Sequence, residues 1–304
     1  MMDPLSTGLS YVDDRFLGRA GIIATAVAHS AGGVALVDPG PTSTLPTLRA
    51  ELDRAGIRLP DVTALLLTHI HLDHAGAAGT LVKEHPRLRV YVHEKGAPHL
   101  VDPAKLLASA TRLYGADMDR LWGEVRPVAA QAIVPLAGGE RIDVGGRSFA
   151  VAYTPGHASH HVSYFDADAG IAFVGDTAGV RLHPGGVVMP PTPPPDIDLE
   201  AWRGSLARIA QWSPSTLFIT HFGPCAPPAA HLSDLVDRLE LASRLVKTSL
   251  DRPGEDADRE AWFVEEMRRE LRRRASEEEA RAYEVAGRFD LNWRGLARYW
   301  RKRT

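Results

Sequence analysis

A single cysteine, Cys225, stands in 304 residues. No disulfide can therefore form within the chain, and such usage suits a reducing compartment. Charge of one sign is also missing. The 35 Lys and Arg nearly balance 38 Asp and Glu, for a formal net charge of −3, which gives no general pull toward nucleic acid or acidic lipid. No apolar run reaches membrane-spanning length, because the segment 20–37 is interrupted by His29 and Gly32-Gly33 and reads as a strand–turn–strand hairpin. The opening Met1-Met2-Asp3-Pro4-Leu5 has no basic stretch leading into an apolar one, so no secretory leader is expected. The cytoplasm is the expected compartment, with neither nucleic acid nor membrane as an expected partner. Its length is ample for one large core, or for a domain with an appendage.

Against those absences stands one dense cluster, His69-Ile70-His71-Leu72-Asp73-His74. It follows the apolar run Val62–Leu67, which reads as a buried strand. Ligand-type side chains at a strand exit sit on a loop held by rigid backbone. Imidazole suits zinc and other first-row metals, and a carboxylate adds an oxygen ligand. Three later strand exits each offer one more: Phe149–Tyr153 leads to His157, Ile171–Val174 to Asp176, and Thr216–Thr220 to His221. Glycine lies beside each, permitting a sharp bend or close backbone approach.

In this order the residues resemble the metallo-β-lactamase-fold hydrolases, which carry a His-x-His-x-Asp-His loop, a lone His, a Gly-Asp pair and a final His. The resemblance spans roughly residues 20 to 225. It implies an α/β fold, an αββα four-layer sandwich, here with a C-terminal helical appendage. It also implies two divalent metal ions, zinc first, with iron or manganese as alternatives. His69, His71 and His157 would hold one, Asp73, His74 and His221 the other, and Asp176 would bridge them. His69 and His71 fit that partition physically, since alternate residues of extended backbone share a face. Two metals sharing a hydroxide lower the pKa of water to near 7 and clamp attacking and leaving oxygens. Hydrolysis follows as the expected reaction, with Asp73 as the catalytic carboxylate.

The rest of the chain is expected to organise around that site. Residues 1–228 read as the catalytic domain and 229–304 as the helical region. Strands are expected at 20–28, 33–37, 62–67, 89–93, 148–153, 161–165 and 171–174, with a turn-rich stretch at 138–147. Helices are expected at 44–55, 75–83, 198–212 and 229–250, the second aiming its N-terminal dipole at the site. A helical insert at about 103–123 carries Tyr114 and Trp122, candidates for a substrate wall. The same resemblance implies Asp38 as a candidate support for the metal loop, with simple turn formation as the alternative. Arg181 and His183 are candidate contacts to a substrate anion. The prolines of 190–196 make either a fixed lid over the site or a rigid spacer. Beyond residue 255, arginine and glutamate interleave as on a solvated helical face, and Ser276-Glu277-Glu278-Glu279 forms a capping box. Trp262, Phe263, Phe289, Trp293, Tyr299 and Trp300 imply docking, onto the catalytic domain or onto a second copy as a homodimer.

Particular substrates fit less well. Glyoxalase II-type thioesterases follow Gly-Asp-Thr with a glutathione-gripping segment that Ala178–His183 does not match. The lactonases of this fold place tyrosine where Gly179 stands, and the commonest zinc β-lactamases place cysteine where Asp176 stands. A small ester, thioester, lactone or phosphoester remains the expected substrate. The alternatives are a mononuclear iron dioxygenase of the persulfide type on the same fold, and a binding or electron-transfer protein with a vestigial site.

Overall fold

The structure, a computed structural model, describes residues 2–303. Its first sheet has seven strands in chain order: β1 (Asp3–Ser6), β2 (Leu9–Asp13), β3 (Ala24–Ser30), β4 (Gly33–Val37), β5 (Val62–Leu66), β6 (Arg89–His93) and β7 (Ile133–Leu136). The first four pair antiparallel, and β4 to β7 run parallel. The second sheet holds β8 (Arg141–Val144), β9 (Arg147–Tyr153), β10 (Val162–Asp166), β11 (Ile171–Phe173), β12 (Thr216–Ile219) and β13 (Gly223–Cys225), ordered from β13 to β8. Both β9 and β11 are antiparallel to β10, and β12 is parallel to β11. Strands β9, β11 and β12 therefore run the same way and end at one edge.

Period-two alternation explains the layering. Along β3, β4 and β5, Ala24, Ala26, Ala28, Ala35 and Ala64 face inward. They meet Phe149, Tyr164, Phe173 and Phe218 from the second sheet, so small residues oppose large ones. The alternate residues Val27, Leu36 and Leu65 face outward, onto helices. Strands buried on both faces read as continuous apolar runs, as these do.

Helices α1 (Leu45–Arg54), α2 (Leu72–Ala75), α3 (Ala78–Glu84), α4 (Ala97–Val101), α5 (Ala104–Tyr114) and α6 (Met118–Trp122) follow strands of the first sheet. Helix α7 (Leu199–Gln211) precedes β12, and α8 (Pro228–Leu250), α9 (Asp256–Arg272), α10 (Glu277–Ala286) and α11 (Phe289–Arg301) close the chain. The late aromatics dock within this chain: Phe263, Tyr283, Phe289, Trp293 and Tyr299 are buried in the same apolar cluster as Leu217 and Ile219 of β12. The capping box at Ser276 forms, its hydroxyl accepting from Glu279 N at 3.2 Å. No helix among the described residues is long and apolar enough to cross a membrane.

Several local expectations are corrected. The expected strand at 20–28 begins only at Ala24, and β1 and β2 precede it. β8 lies inside the stretch read as turns. The expected helix at 75–83 is broken: Ala77 N bonds Gly40 O at 3.0 Å, so the one-turn α2 stops and α3 starts afresh. A single turn has little dipole to aim at the site. The 103–123 insert comprises α5 and α6, separated at Gly115, whose φ is +54°.

Candidate metal centre

Every candidate ligand leaves the carboxyl end of a strand. The loop after β5 supplies His69, His71, Asp73 and His74; those after β9, β11 and β12 supply His157, Asp176 and His221. Three groups of inward atoms each lie within 4.8 Å of one another: His69, His71 and His157; His69, His74 and Asp176; Asp73, His74 and His221. Gly156 is needed beside His157, because its φ is +141° and a Cβ would fall 2.3 Å from Trp202 Cβ.

The outward sides of the rings are fixed by hydrogen bonds. Asp38, itself buried with φ +50°, is the hub. Its carboxylate accepts from Thr68 N at 2.8 Å, Thr68 Oγ1 at 2.7 Å, His74 Nδ1 at 2.8 Å and Thr220 Oγ1 at 2.9 Å. Since Thr68 gives its hydroxyl proton to Asp38, its oxygen accepts from His69 Nδ1 at 3.1 Å. His157 Nδ1 donates to Pro191 O at 2.8 Å, and His221 Nδ1 to Ile22 O at 2.7 Å. Spending Nδ1–H outward leaves Nε2 as the inward atom in His69, His74, His157 and His221.

Those inward atoms fit a cation. His71 Nδ1 lies 2.9 Å from both His69 Nε2 and His157 Nε2, and at most one proton is available among the three neutral rings. Their remaining lone pairs repel unless a positive ion satisfies them. In the neighbouring group, His74 Nε2 and Asp176 Oδ1 are 3.3 Å apart, and both are buried with no hydrogen-bond partner. His221 Nε2 is 3.3 Å from Asp73 Oδ2 and 3.6 Å from Asp176 Oδ1. Nitrogen and carboxylate donors in this mixture accept zinc, iron or manganese.

Electrostatics separate the two groups. Burial, reinforced by neighbouring histidines, holds His69 well below the ordinary imidazole range and pushes His71 down to about 4. Burial also depresses His157, against the opposing pull of Asp176. For His74, burial acts the same way, but Asp176, Asp73 and Asp38 overturn it and raise its pKa well above normal. Burial would raise Asp73, yet His74 and His221 bring it down to about 2. The first group is neutral nitrogen; the second is charged.

A cavity of about 370 Å³ opens on His71, Asp73, His157, Asp176 and His221. Tyr114 and Trp122 line it, their rings edge to face at 5.1 Å, and Phe16 stacks on Trp122 at 5.7 Å. The proline segment borders it too, through Pro191 and Pro193 to Pro195. Arg181 and His183 do not line it, which corrects their expected role. Arg181 Nη1 turns to Cys225 Sγ at 2.9 Å, and His183 Nε2 pairs with Glu279 at 2.7 Å. Cys225 packs in the apolar core, where burial raises its thiol pKa.

Other residues of the site had no obvious mark in the sequence. Thr68 and Thr220 directly precede His69 and His221, and their adjacency was the available signal. His161 packs its ring 5.0 Å from that of His69. Lys95, Lys105 and Leu291 line the cavity from three distant segments. Asn292 of α11 reaches the proline segment: Thr192 N donates to Asn292 Oδ1 at 2.8 Å, one residue from the carbonyl that holds His157.

Comparison with known proteins agrees with this geometry. The chain is 32% identical over 183 residues to the metallo-beta-lactamase fold-containing protein ST1585 of Sulfurisphaera tokodaii, covering 58% of this chain and 67% of that one. It is 28% identical over 154 residues to the hydroxyacylglutathione hydrolase of Legionella pneumophila, a match spanning 50% of this chain and only 46% of the hydrolase. Among solved structures, the metallo-beta-lactamase family protein TTHA1429 of Thermus thermophilus shares the fold, with a TM-score of 0.74, 23% identity, and coverage of 99% and 95% of the two chains. The family model described as the metallo-beta-lactamase superfamily matches residues 18–221, from before β3 to the last candidate ligand, and the chain belongs to that superfamily.

Proposed function

We propose that the protein is a metal-dependent hydrolase of a small ester, thioester, lactone or phosphoester. His69, His71 and His157 would hold one divalent ion, zinc being the expected metal, and Asp73, His74 and His221 a second, with Asp176 between them. When bound, such ions lower the pKa of water toward neutrality and stabilise negative charge developing on oxygen. The observation that carries this reading is the fixed direction of the rings: four outward nitrogens are tied to acceptors, and the inward atoms converge at the end of a cavity.

The side chains supply the remaining chemistry. Asp73 is the ligand carboxylate facing the cavity, with side-chain exposure of 22% against 6% for Asp176. It is ionised in the metal-free site, orients the attacking water and takes its proton, which then passes to the leaving oxygen or sulfur. Asp38 keeps His69 and His74 in the ligating tautomer through Thr68 and directly. All seven candidate ligands precede residue 228, and the helices beyond it contribute cavity wall.

Elemental analysis combined with a screen of esters, thioesters, lactones and phosphodiesters, with and without chelator, tests the reading. Two equivalents of metal and chelator-sensitive hydrolysis are expected, with His71→Ala folded and inactive. One equivalent of iron with oxygen uptake would replace this reading by the mononuclear dioxygenase. The complete Asp73–His74–His221 group favours two ions.

A further inference from the structure

The cavity beside the metal centre has a lining of two chemical kinds. One is apolar and aromatic, formed by Phe16, Ile23, Leu113, Tyr114, Trp122 and Leu291. The stacked Phe16–Trp122 pair and the edge-on Tyr114 give it flat, rigid faces. Lys95, His99 and Lys105 also line the cavity, Lys105 at the opposite end of α5 from Leu113 and Tyr114. Lys95 Nζ donates to the Tyr153 hydroxyl at 2.8 Å, and that hydroxyl is anchored on Ser159 O. Neither Lys95 nor Lys105 forms an ion pair among the described residues.

The acids that share the cavity do not neutralise these lysines. Asp73 and Asp176 face the metal ligands, and Asp196 accepts from Ser159 Oγ at 2.5 Å. Arg288, the other cation on the lining, is already paired with Asp290. Helix α5 carries both kinds, since Lys105, Leu106, Ser109, Ala110, Leu113 and Tyr114 recur on its cavity face. Nine helical rises separate Lys105 from Tyr114, a span of roughly 14 Å. A volume of about 370 Å³ falls in the usual range for small-molecule sites. It greatly exceeds what an acetyl or lactoyl group fills.

We propose that the substrate is amphipathic: an apolar arm of several carbons, alkyl or aryl, lies on one side of the scissile bond, and an anionic group that meets Lys95 and Lys105 lies on the other. This deepens the hydrolase reading and rests on it for the bond that is cut. The apolar arm lies against the aromatic lining because water there can make few hydrogen bonds, and displacing it is favourable. The anion is placed by two ammonium groups that have no carboxylate within ion-pair distance among the described residues.

Two measurements on the purified full-length protein test the proposal. In the first, Trp122-dependent fluorescence follows binding of decanoate, decanol and acetate to the metal-free chain. Decanoate is expected to bind at least about tenfold more tightly than either of the others. Equal binding of decanoate and decanol would overturn the anionic half, and equal binding of decanoate and acetate the apolar half. In the second, the metal-loaded protein is given acetyl, hexanoyl and decanoyl thioesters of 3-mercaptopropionate and of its neutral methyl ester, together with mono-octyl succinate for the reverse orientation.

A rise in kcat/KM of up to about fourfold per methylene over the first carbons is expected, with preference for the anionic member of each pair. Lys105→Met should cut that preference about tenfold, and the half-buried Leu113→Glu should flatten the chain-length series. Chelator-sensitive hydrolysis with neither preference would sink this proposal and leave the hydrolase reading standing. Binding of decanoate without any hydrolysis would leave an amphipathic binding cavity standing, and would sink the hydrolase reading and with it the placing of a scissile bond.

Discussion

The two ligand groups are only a few ångströms apart, yet they are held from opposite ends of the chain. His74 and His221 rest on Asp38 and on the Ile22 carbonyl, both contributed by the first 40 residues. His157 rests on Pro191 O, and the next residue, Thr192, is tied to Asn292 of the last helix. The Asp73–His74–His221 group rests on a buried carboxylate with four donors; the His69–His71–His157 group shares that hub through Thr68 and His69 and adds, at His157, a strap whose far anchor is a packed helix. The carboxylate hub is rigid because three of its four bonds come from Thr68 and Thr220, just past the ends of β5 and β12. The strap is only as rigid as the contact between α11 and residues 192–193.

Removing the hub should have the largest effect. Asp38→Ala leaves the Thr68 amide and the Thr68 and Thr220 hydroxyls buried without their acceptor, and it puts alanine at a left-handed φ. A stability loss of at least about 3 kcal/mol in denaturant unfolding is expected, with metal affinity down about 10–100-fold. Asp38→Asn should retain more of both. Unchanged metal affinity in Asp38→Ala would show that this carboxylate does not hold the His69 and His74 rings.

The strap gives a sharper test. Gly295 is an interior residue of α11, where propensity alone favours alanine by about 1 kcal/mol. Its added Cβ would, however, lie 2.0 Å from Thr192 O. Gly295→Ala is therefore expected to destabilise by about 1–3 kcal/mol and to weaken one metal equivalent, measured by competition with a chromophoric chelator. A stabilised variant with both equivalents intact would show that α11 does not brace His157. Asn292→Leu should lower metal affinity in the same direction.

A third prediction concerns pH on the hub side. Asp14 is fully buried, and burial raises its carboxyl well above the usual range, against the lowering effect of Thr25. Thr25 Oγ1 lies 2.8 Å from Asp14 Oδ2 and 3.0 Å from Asp38 O. A protonated Asp14 can donate to Thr25, which then donates to that carbonyl. A raised folded pKa gives stability that is complete below the unfolded value and lost as pH climbs through the folded value. Each pH unit in that window costs up to about 1.4 kcal/mol. Asp14→Asn should thus gain on the parent between pH 5 and pH 8 in urea unfolding. A constant difference would mean the carboxyl is ionised throughout.

The smallest effect is expected on the strap side, far from the ligands. Ser276→Ala removes the capping box of α10 and should cost about 1 kcal/mol, read as a lowered melting temperature with metal content unchanged.

What could be read without coordinates follows the same division. The ligand loop was legible because it directly follows a short apolar run, whereas Asp38 became a candidate only through the family resemblance, a turn former being the other reading. The expected helices at 198–212 and 229–250 match α7 and α8 closely, since apolar residues recur there at helical spacing. β1 and β7 were missed because Pro4 and Pro135 argue against strands, although edge positions tolerate proline. β8 was missed because Arg141-Ile142-Asp143-Val144 is too short to show its alternation amid glycines. Leu113 and Leu291, or Thr192 and Asn292, meet only after folding, and nothing local connects them. Arg181 was misplaced because a guanidinium near the Gly-Asp loop in sequence points instead to Cys225.

The strap has a consequence for how the protein is made. A ribosome that has translated residue 221 has already delivered every candidate metal ligand, yet the brace for His157 is untranslated until α11 emerges. A truncated product ending before residue 289 would contain the complete binding motif by inspection and lack the buttress that orients one of its imidazoles. Metal retention would then report on synthesis through α11 rather than on the presence of the candidate ligands.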